Sequence, residues 1–120
     1  MADSRRAARV GATVHSALGE VLRSELKDPR LHQAGLITIT GVEVSADLSV
    51  ATVYVTATND EPDTVQQMMA GFASAAAYLR SALAKRVALK RIPELRFRID
   101  PAIRHGRRID AILQEMDTDP

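Results

Sequence analysis

The side chains best suited to chemistry in this sequence are basic, and the chemistry they suit is phosphate recognition. Arg80, Lys85, Arg86, Lys90 and Arg91 fall within twelve residues, and a second group, Arg5, Arg6 and Arg9, opens the chain. Between residues 80 and 108 there are ten Lys and Arg against two acids, Glu94 and Asp100. From 31 to 79 there is no Lys or Arg, against five acids: Glu43, Asp47, Asp60, Glu61 and Asp63. A net charge of +1 therefore conceals blocks of opposite sign. Such separation polarises the field of a small protein, and a basic face is the usual footprint of a nucleic-acid partner. A basic but merely solvated surface is the competing reading.

Other chemistries find less support. The three histidines, His15, His32 and His105, are far apart, with no HxH or HxxxH pairing for a metal, and each reads as a surface residue. The six glycines are scattered, so neither a P-loop nor a dinucleotide-binding turn is present. No serine is read as the partner of a histidine in nucleophilic catalysis, and Ser45 and Ser49 fit turn chemistry. Asp28 and Asp47 suit capping or salt bridging better than paired acid and base. With no cysteine there is no thiol nucleophile, disulfide or thiolate metal site. No catalytic residue, metal or cofactor is expected, and a small α/β enzyme is the least favoured class.

These bases must be held by elements that periodicity locates. At 120 residues the chain suits one domain, residues 1–120, with a core over about 4–113 and a short acidic tail. Val10, Val14, Leu18, Val21, Leu22 and Leu26 recur at helical spacing, predicting a helix over about 4–26 capped by Asp3 or Ser4. "KDPR" at 27–30 stops it, because Pro29 lacks an N–H for the helical ladder. In "LITITGVEVS", 36–45, Ile37 and Ile39 alternate, Gly41 intervenes, and Val42 and Val44 resume on the other parity. That slip predicts a bulge. "VATVYVTA", 50–57, is a second strand, joined to the first as an antiparallel hairpin.

"NDEPD" opens a long helix with Pro62 in its first turn and acids at its positive end. Its stripe, Val65, Met69, Phe72, Ala76, Leu79 and Leu83, runs to about Val87. "ELRFRID" then reads as a half-buried third strand. If that strand lies parallel to the second, the long helix is the crossover and covers one sheet face. Ala51, Val53 and Val55 then face the helices, and Thr52, Tyr54, Thr56, Arg96 and Arg98 face out. A turn and short helix carrying Ile109, Ile112 and Leu113 are expected at the end. The charged start "MADSRRAARV" leads into no long apolar run, so no signal peptide or membrane span is expected and a cytoplasmic protein is.

Taken in order, "ELKDPRL" (25–31), "ITITGVEVSADLSVATVYV" (37–55), "AAAYLRSALAKRV" (75–87), "IPELRFRID" (92–100) and "RRIDAIL" (107–113) resemble the ribosome-binding factor A family. The resemblance implies an α+β fold, a single KH-like domain of the second topological type, α-β-β-α-kink-α-β. Its three-stranded mixed sheet has the middle strand central and helices on one face. It also implies an assembly factor of the small ribosomal subunit that binds its rRNA and assists late maturation, including 5′-end processing. Growth in the cold and release by a GTPase are further implications; a monomer is expected.

An ordinary KH domain clamps the nucleic-acid backbone with a GXXG loop. The resembled family replaces the loop with an Ala-X-Gly helix kink, and the matching residues here are Ala75, Ala76 and Ala77, without the glycine. The expected RNA-binding residues are Arg5, Arg6, Arg9, Arg80, Lys85, Arg86, Lys90 and Arg91, acting on phosphate with little base reading. Arg96 and Arg98 are weaker candidates, and pairing with Asp28 or packing of the turn accounts for Lys27 and Arg30 equally well. With aromatic residues at 3 % of the chain, stacking has few platforms. A generic KH module for single-stranded RNA stays open as the alternative.

Overall fold

The computed structural model describes residues 2–24 and 28–100. In chain order these form α1 (Ala2–Ser24), α2 (Pro29–His32), β1 (Ile37–Val44), β2 (Val50–Ala57), α3 (Pro62–Arg86) and β3 (Glu94–Ile99). The tail expected to hold Ile109, Ile112 and Leu113, and the bases Arg104, Arg107 and Arg108, lie outside the described residues, as does Lys27. Among the described residues no helix is long and apolar enough to cross a membrane.

The sheet has the order β1-β2-β3, with β1 antiparallel and β3 parallel to the central strand. Parallel pairing needs a crossover, and α3 is the element that provides it. The slip read at Gly41 is a bulge: Ile39 pairs with Val55 and Gly41 with Tyr54, leaving Thr40 as the extra residue. The bulge keeps Ile37, Ile39, Val42 and Val44 against one core although their spacing breaks parity. On β2 the alternation is strict, with Ala51, Val53, Val55 and Ala57 buried and the residues between them half-buried. Arg96 and Arg98 are exposed on the opposite face, as expected.

Both long helices pack on the side to which Ala51, Val53 and Val55 point. α1 runs antiparallel to β1, with Gly11 against the Val42 carbonyl and Val44, and His15 Nε2 donating to the Ile39 carbonyl at 3.0 Å. His15 is thus half-buried and bonded rather than a surface residue. Phe72 of α3, fully buried, stacks on Phe97 of β3 with centroids 4.4 Å apart. Val14, Leu18 and Val21 of α1 and Met68, Leu79 and Leu83 of α3 complete the centre of the core.

One local expectation is corrected and two are filled out. α1 begins at Ala2, so Asp3 and Ser4 fall inside its first turn rather than ahead of it. α1 is described to Ser24, ahead of "KDPR", and Pro29 opens the four-residue α2, whose N-cap is Asp28, accepting from the Arg30 N–H at 2.9 Å. The same proline geometry that forbids a helix interior suits a helix start. Finally, Ala75, Ala76 and Ala77, where the resemblance implies a kink, lie within the α-helical span of α3, Pro62–Arg86. Alanine is the strongest helix former, and without the family's glycine nothing in these residues favours a break.

Candidate nucleic-acid interface

The direction of each element decides where the bases gather. Because α1 is antiparallel to β1, the turns before Gly11 lead toward the end of the sheet where β1 turns into β2. Arg5, Arg6 and Arg9 are exposed there. β3 starts at that same end, since Glu94 pairs with Val50 and its N–H bonds the Ser49 carbonyl at 2.9 Å. The residues before it, 87–93, carry Lys90 and Arg91, both exposed, and follow directly on the last turn of α3 with Lys85 and Arg86. The backbone directions thus lead the start of α1, with Arg5, Arg6 and Arg9, and the segment bearing Lys90 and Arg91 toward the hairpin end, whereas Arg86 reaches the middle of α1.

Not all of them are equally available. Arg86 Nη1 lies 3.4 Å from Glu20 Oε2 and ties the end of α3 to α1. Exposed pairs of this kind add little stability. Lys85 and Arg86 also complement the negative end of the α3 dipole. Arg80 is turned to the chain itself, with Nε and Nη2 donating to the Ile92 carbonyl at 3.1 and 2.7 Å. Arg96 is drawn to Glu94 at 3.6 Å on the open sheet face. Arg30 pairs with Asp28 at 2.8 Å, and those side-chain hydrogen bonds hold the Asp28 carboxyl below its ordinary range. The "KDPR" motif is therefore explained, in its described part, by the α2 cap.

Asp47, in the hairpin turn, lies within reach of the charge of Arg91. Asp47 accepts from the Ser49 and Ser45 hydroxyls at 2.7 Å each and from the Ser49 N–H at 3.1 Å. These bonds, with a smaller attraction from Arg91, hold its carboxyl down at about 2. The turn it organises, in which Leu48 takes a left-handed φ of 63°, closes the hairpin beside the start of β3.

The alanine run lines a shallow groove. Ala76, Ala77, Ser81 and Ala84 of α3 face Ile92, Glu94 and Leu95 across about 640 Å³ of open space, with Arg80 crossing it. On the next face of α3, Tyr78, 51 % exposed, lies in a second groove with Lys85 and Arg86. The sequence expectations assign Tyr78 no place; its spacing from Ser81 and Lys85 on one helix is the available signal. Tyr54 is half-buried on the open sheet face, its hydroxyl donating to Glu43 at 3.2 Å, and burial first, then Glu43, pushes its phenol up. Among the described residues no group of His, Asp or Glu could hold a metal ion.

Comparison with known proteins decides the family. The family model for ribosome-binding factor A matches residues 6–113. The chain belongs to the ribosome-binding factor A family. The crystal structure of ribosome-binding factor A from Thermus thermophilus is 35 % identical, with a TM-score of 0.64 over 78 % of this chain and 94 % of that one. A homology model of the Thermus thermophilus factor, fitted into a cryo-EM map of a 30S complex, is 36 % identical, with a TM-score of 0.63 over 79 % and 96 %. A Thermotoga maritima protein solved by NMR, itself a candidate ribosome-binding factor A, gives 32 % identity and a TM-score of 0.68 over 79 % and 87 %. The α+β fold with its three-stranded mixed sheet is thus that of ribosome-binding factor A, consistent with a KH-like domain.

Proposed function

We propose that this chain is an assembly factor that binds rRNA of the immature small ribosomal subunit and assists its late maturation, including processing of the rRNA 5′ end. What supports this reading is the exposure of Arg5, Arg6, Arg9, Lys85, Lys90 and Arg91, with Lys90 and Arg91 leading into β3 at the hairpin end toward which the start of α1 runs. A relative 36 % identical has been fitted in a complex with the 30S subunit. Phosphates attract such a cluster without regard to sequence, and the fold then fixes the register. On this reading the chain acts by binding rather than catalysis. It works in the cytoplasm as a monomer, supports growth in the cold, and leaves the subunit with the help of a GTPase.

Co-sedimentation through sucrose gradients tests the proposal. The chain should travel with free small subunits and be missing from intact ribosomes. Its affinity should fall steeply with salt, each phosphate contact adding roughly 0.7–0.9 to the slope of log K against log salt. A flat salt response refutes binding led by phosphate. Equal affinity for short single-stranded oligonucleotides refutes dependence on the assembled particle and favours a generic KH module.

A further inference from the structure

Arg80 stands among the bases expected to meet RNA, yet the edge of its guanidinium is committed elsewhere. Nε and Nη2 converge on one acceptor, the Ile92 carbonyl, at 3.1 and 2.7 Å. Two parallel donors on one planar edge are a property of arginine that lysine cannot reproduce. Ala76 and Ala84, one turn before and one turn after Arg80, line the same groove. Their small side chains leave the arginine room to cross from α3 to the entry of β3.

What the bond restrains is the segment bearing Lys90 and Arg91. Upstream, the Val87 N–H bonds the Leu83 carbonyl at 3.0 Å. Downstream, Pro93 is buried and the Glu94 N–H is held by Ser49. Ile92 packs half-buried against the core between these anchors. Arg80 therefore grips the carbonyl just past the two exposed bases. To present the same guanidinium edge to phosphate it would have to release that carbonyl.

We propose that Arg80 is a positioning residue: it holds residues 87–93 against α3 so that Lys90 and Arg91 meet RNA phosphate in a fixed arrangement, and does not itself contact phosphate. The inference rests on the proposed binding role of the basic end. A segment ordered in advance loses less entropy on binding, so its affinity depends on the restraint as well as on its charges.

The test compares full-length Arg80→Lys, Arg80→Gln and the double variant Lys90→Gln/Arg91→Gln in binding to small subunits over a range of salt. Amide exchange of residues 88–92 is measured in the free proteins. Both Arg80 variants should bind roughly tenfold more weakly than wild type, the scale of one charge-assisted hydrogen bond. Their salt slopes should equal that of wild type, and exchange at 88–92 should quicken in both. The double variant should lose roughly 1.5 from the slope, the share of two phosphate contacts. Wild-type binding by Arg80→Lys, together with a slope shallower by roughly 0.7–0.9 in Arg80→Gln, makes Arg80 a phosphate contact and overturns the proposal. Wild-type exchange at 88–92 in both Arg80 variants overturns it as well. A double variant that binds like wild type refutes the binding role of the segment, and positioning for RNA with it, whatever the Arg80 variants do.

Discussion

Two glycines in α1 should respond to the same substitution with opposite signs. Replacing glycine with alanine inside a helix gains about 1 kcal/mol, because alanine loses less backbone freedom on folding. At Gly19 nothing opposes that gain: the nearest atom to an added Cβ is Arg23 Nη1 at 3.5 Å, an ordinary contact with the tip of a mobile side chain. At Gly11 the added Cβ would lie 2.9 Å from the Val42 carbonyl oxygen. That oxygen belongs to a paired strand and cannot swing aside, so helix and sheet must separate by a few tenths of an ångström. Overpacking of this kind costs about 1–3 kcal/mol. Helix propensity cancels between the two variants, and their difference isolates the contact: Gly11→Ala should be about 1–3 kcal/mol less stable than Gly19→Ala. Urea unfolding followed by circular dichroism measures it, with equal m-values confirming that both lose the same structure. If Gly11→Ala proves as stable as Gly19→Ala, α1 does not press on β1 as described, and the placement of Arg5, Arg6 and Arg9 loses its foundation.

Further outcomes follow from the basic end and the core. Changing Arg5, Arg6 and Arg9 together to Gln should lower the salt slope of subunit binding by roughly 2 while leaving the unfolding midpoint nearly unchanged; an unaltered slope removes α1 from the interface. Asp47 has a folded-state pKa depressed to about 2 from an ordinary 3.8, so its contribution is complete above the higher value and disappears as pH falls toward the lower. Wild type should therefore be more stable than Asp47→Asn at pH 5, and the gap should close as pH falls from about 4 to about 2, in urea titrations at each pH. Phe72→Ala removes a fully buried ring and its stack on Phe97, and should cost about 3–5 kcal/mol, read as a shift of the denaturant midpoint.

Most of the fold could be read from residue order because its signals are local and repeat. The Val50–Ala57 alternation is the observed burial pattern, and the parity change around Gly41 is the observed bulge. α2 escaped because four residues carry no periodicity, and a proline after an aspartate marks a helix end and a helix start alike. The kink expected at Ala75, Ala76 and Ala77 came from family likeness alone; three alanines by themselves favour helix, and they lie within the α-helical span of α3. At the site, the charge blocks announced a basic surface, but not which bases are held by the chain. Arg80 and Ile92 are twelve residues apart, and their meeting depends on how α3 lies beside the entry to β3. His15 was misplaced for the same reason, since its partner lies on another element, 24 residues away.

The parallel pairing of β2 with β3 sets the order in which this molecule can assemble. The β1–β2 hairpin closes over a short turn, whereas pairing β3 with β2 must close a connection that contains the 25 residues of α3. Contacts so remote in sequence are slow to form, because the loss of chain entropy precedes any gain from them. The last strand to settle also fixes the segment that carries Lys90 and Arg91. A chain caught part-way through folding would hold its positive charges dispersed along a flexible polymer, and would acquire a concentrated cationic surface only on completing its native topology. Competence to bind and completion of folding would then arrive in the same kinetic step, which stopped-flow fluorescence of a labelled β3 read alongside RNA capture can resolve.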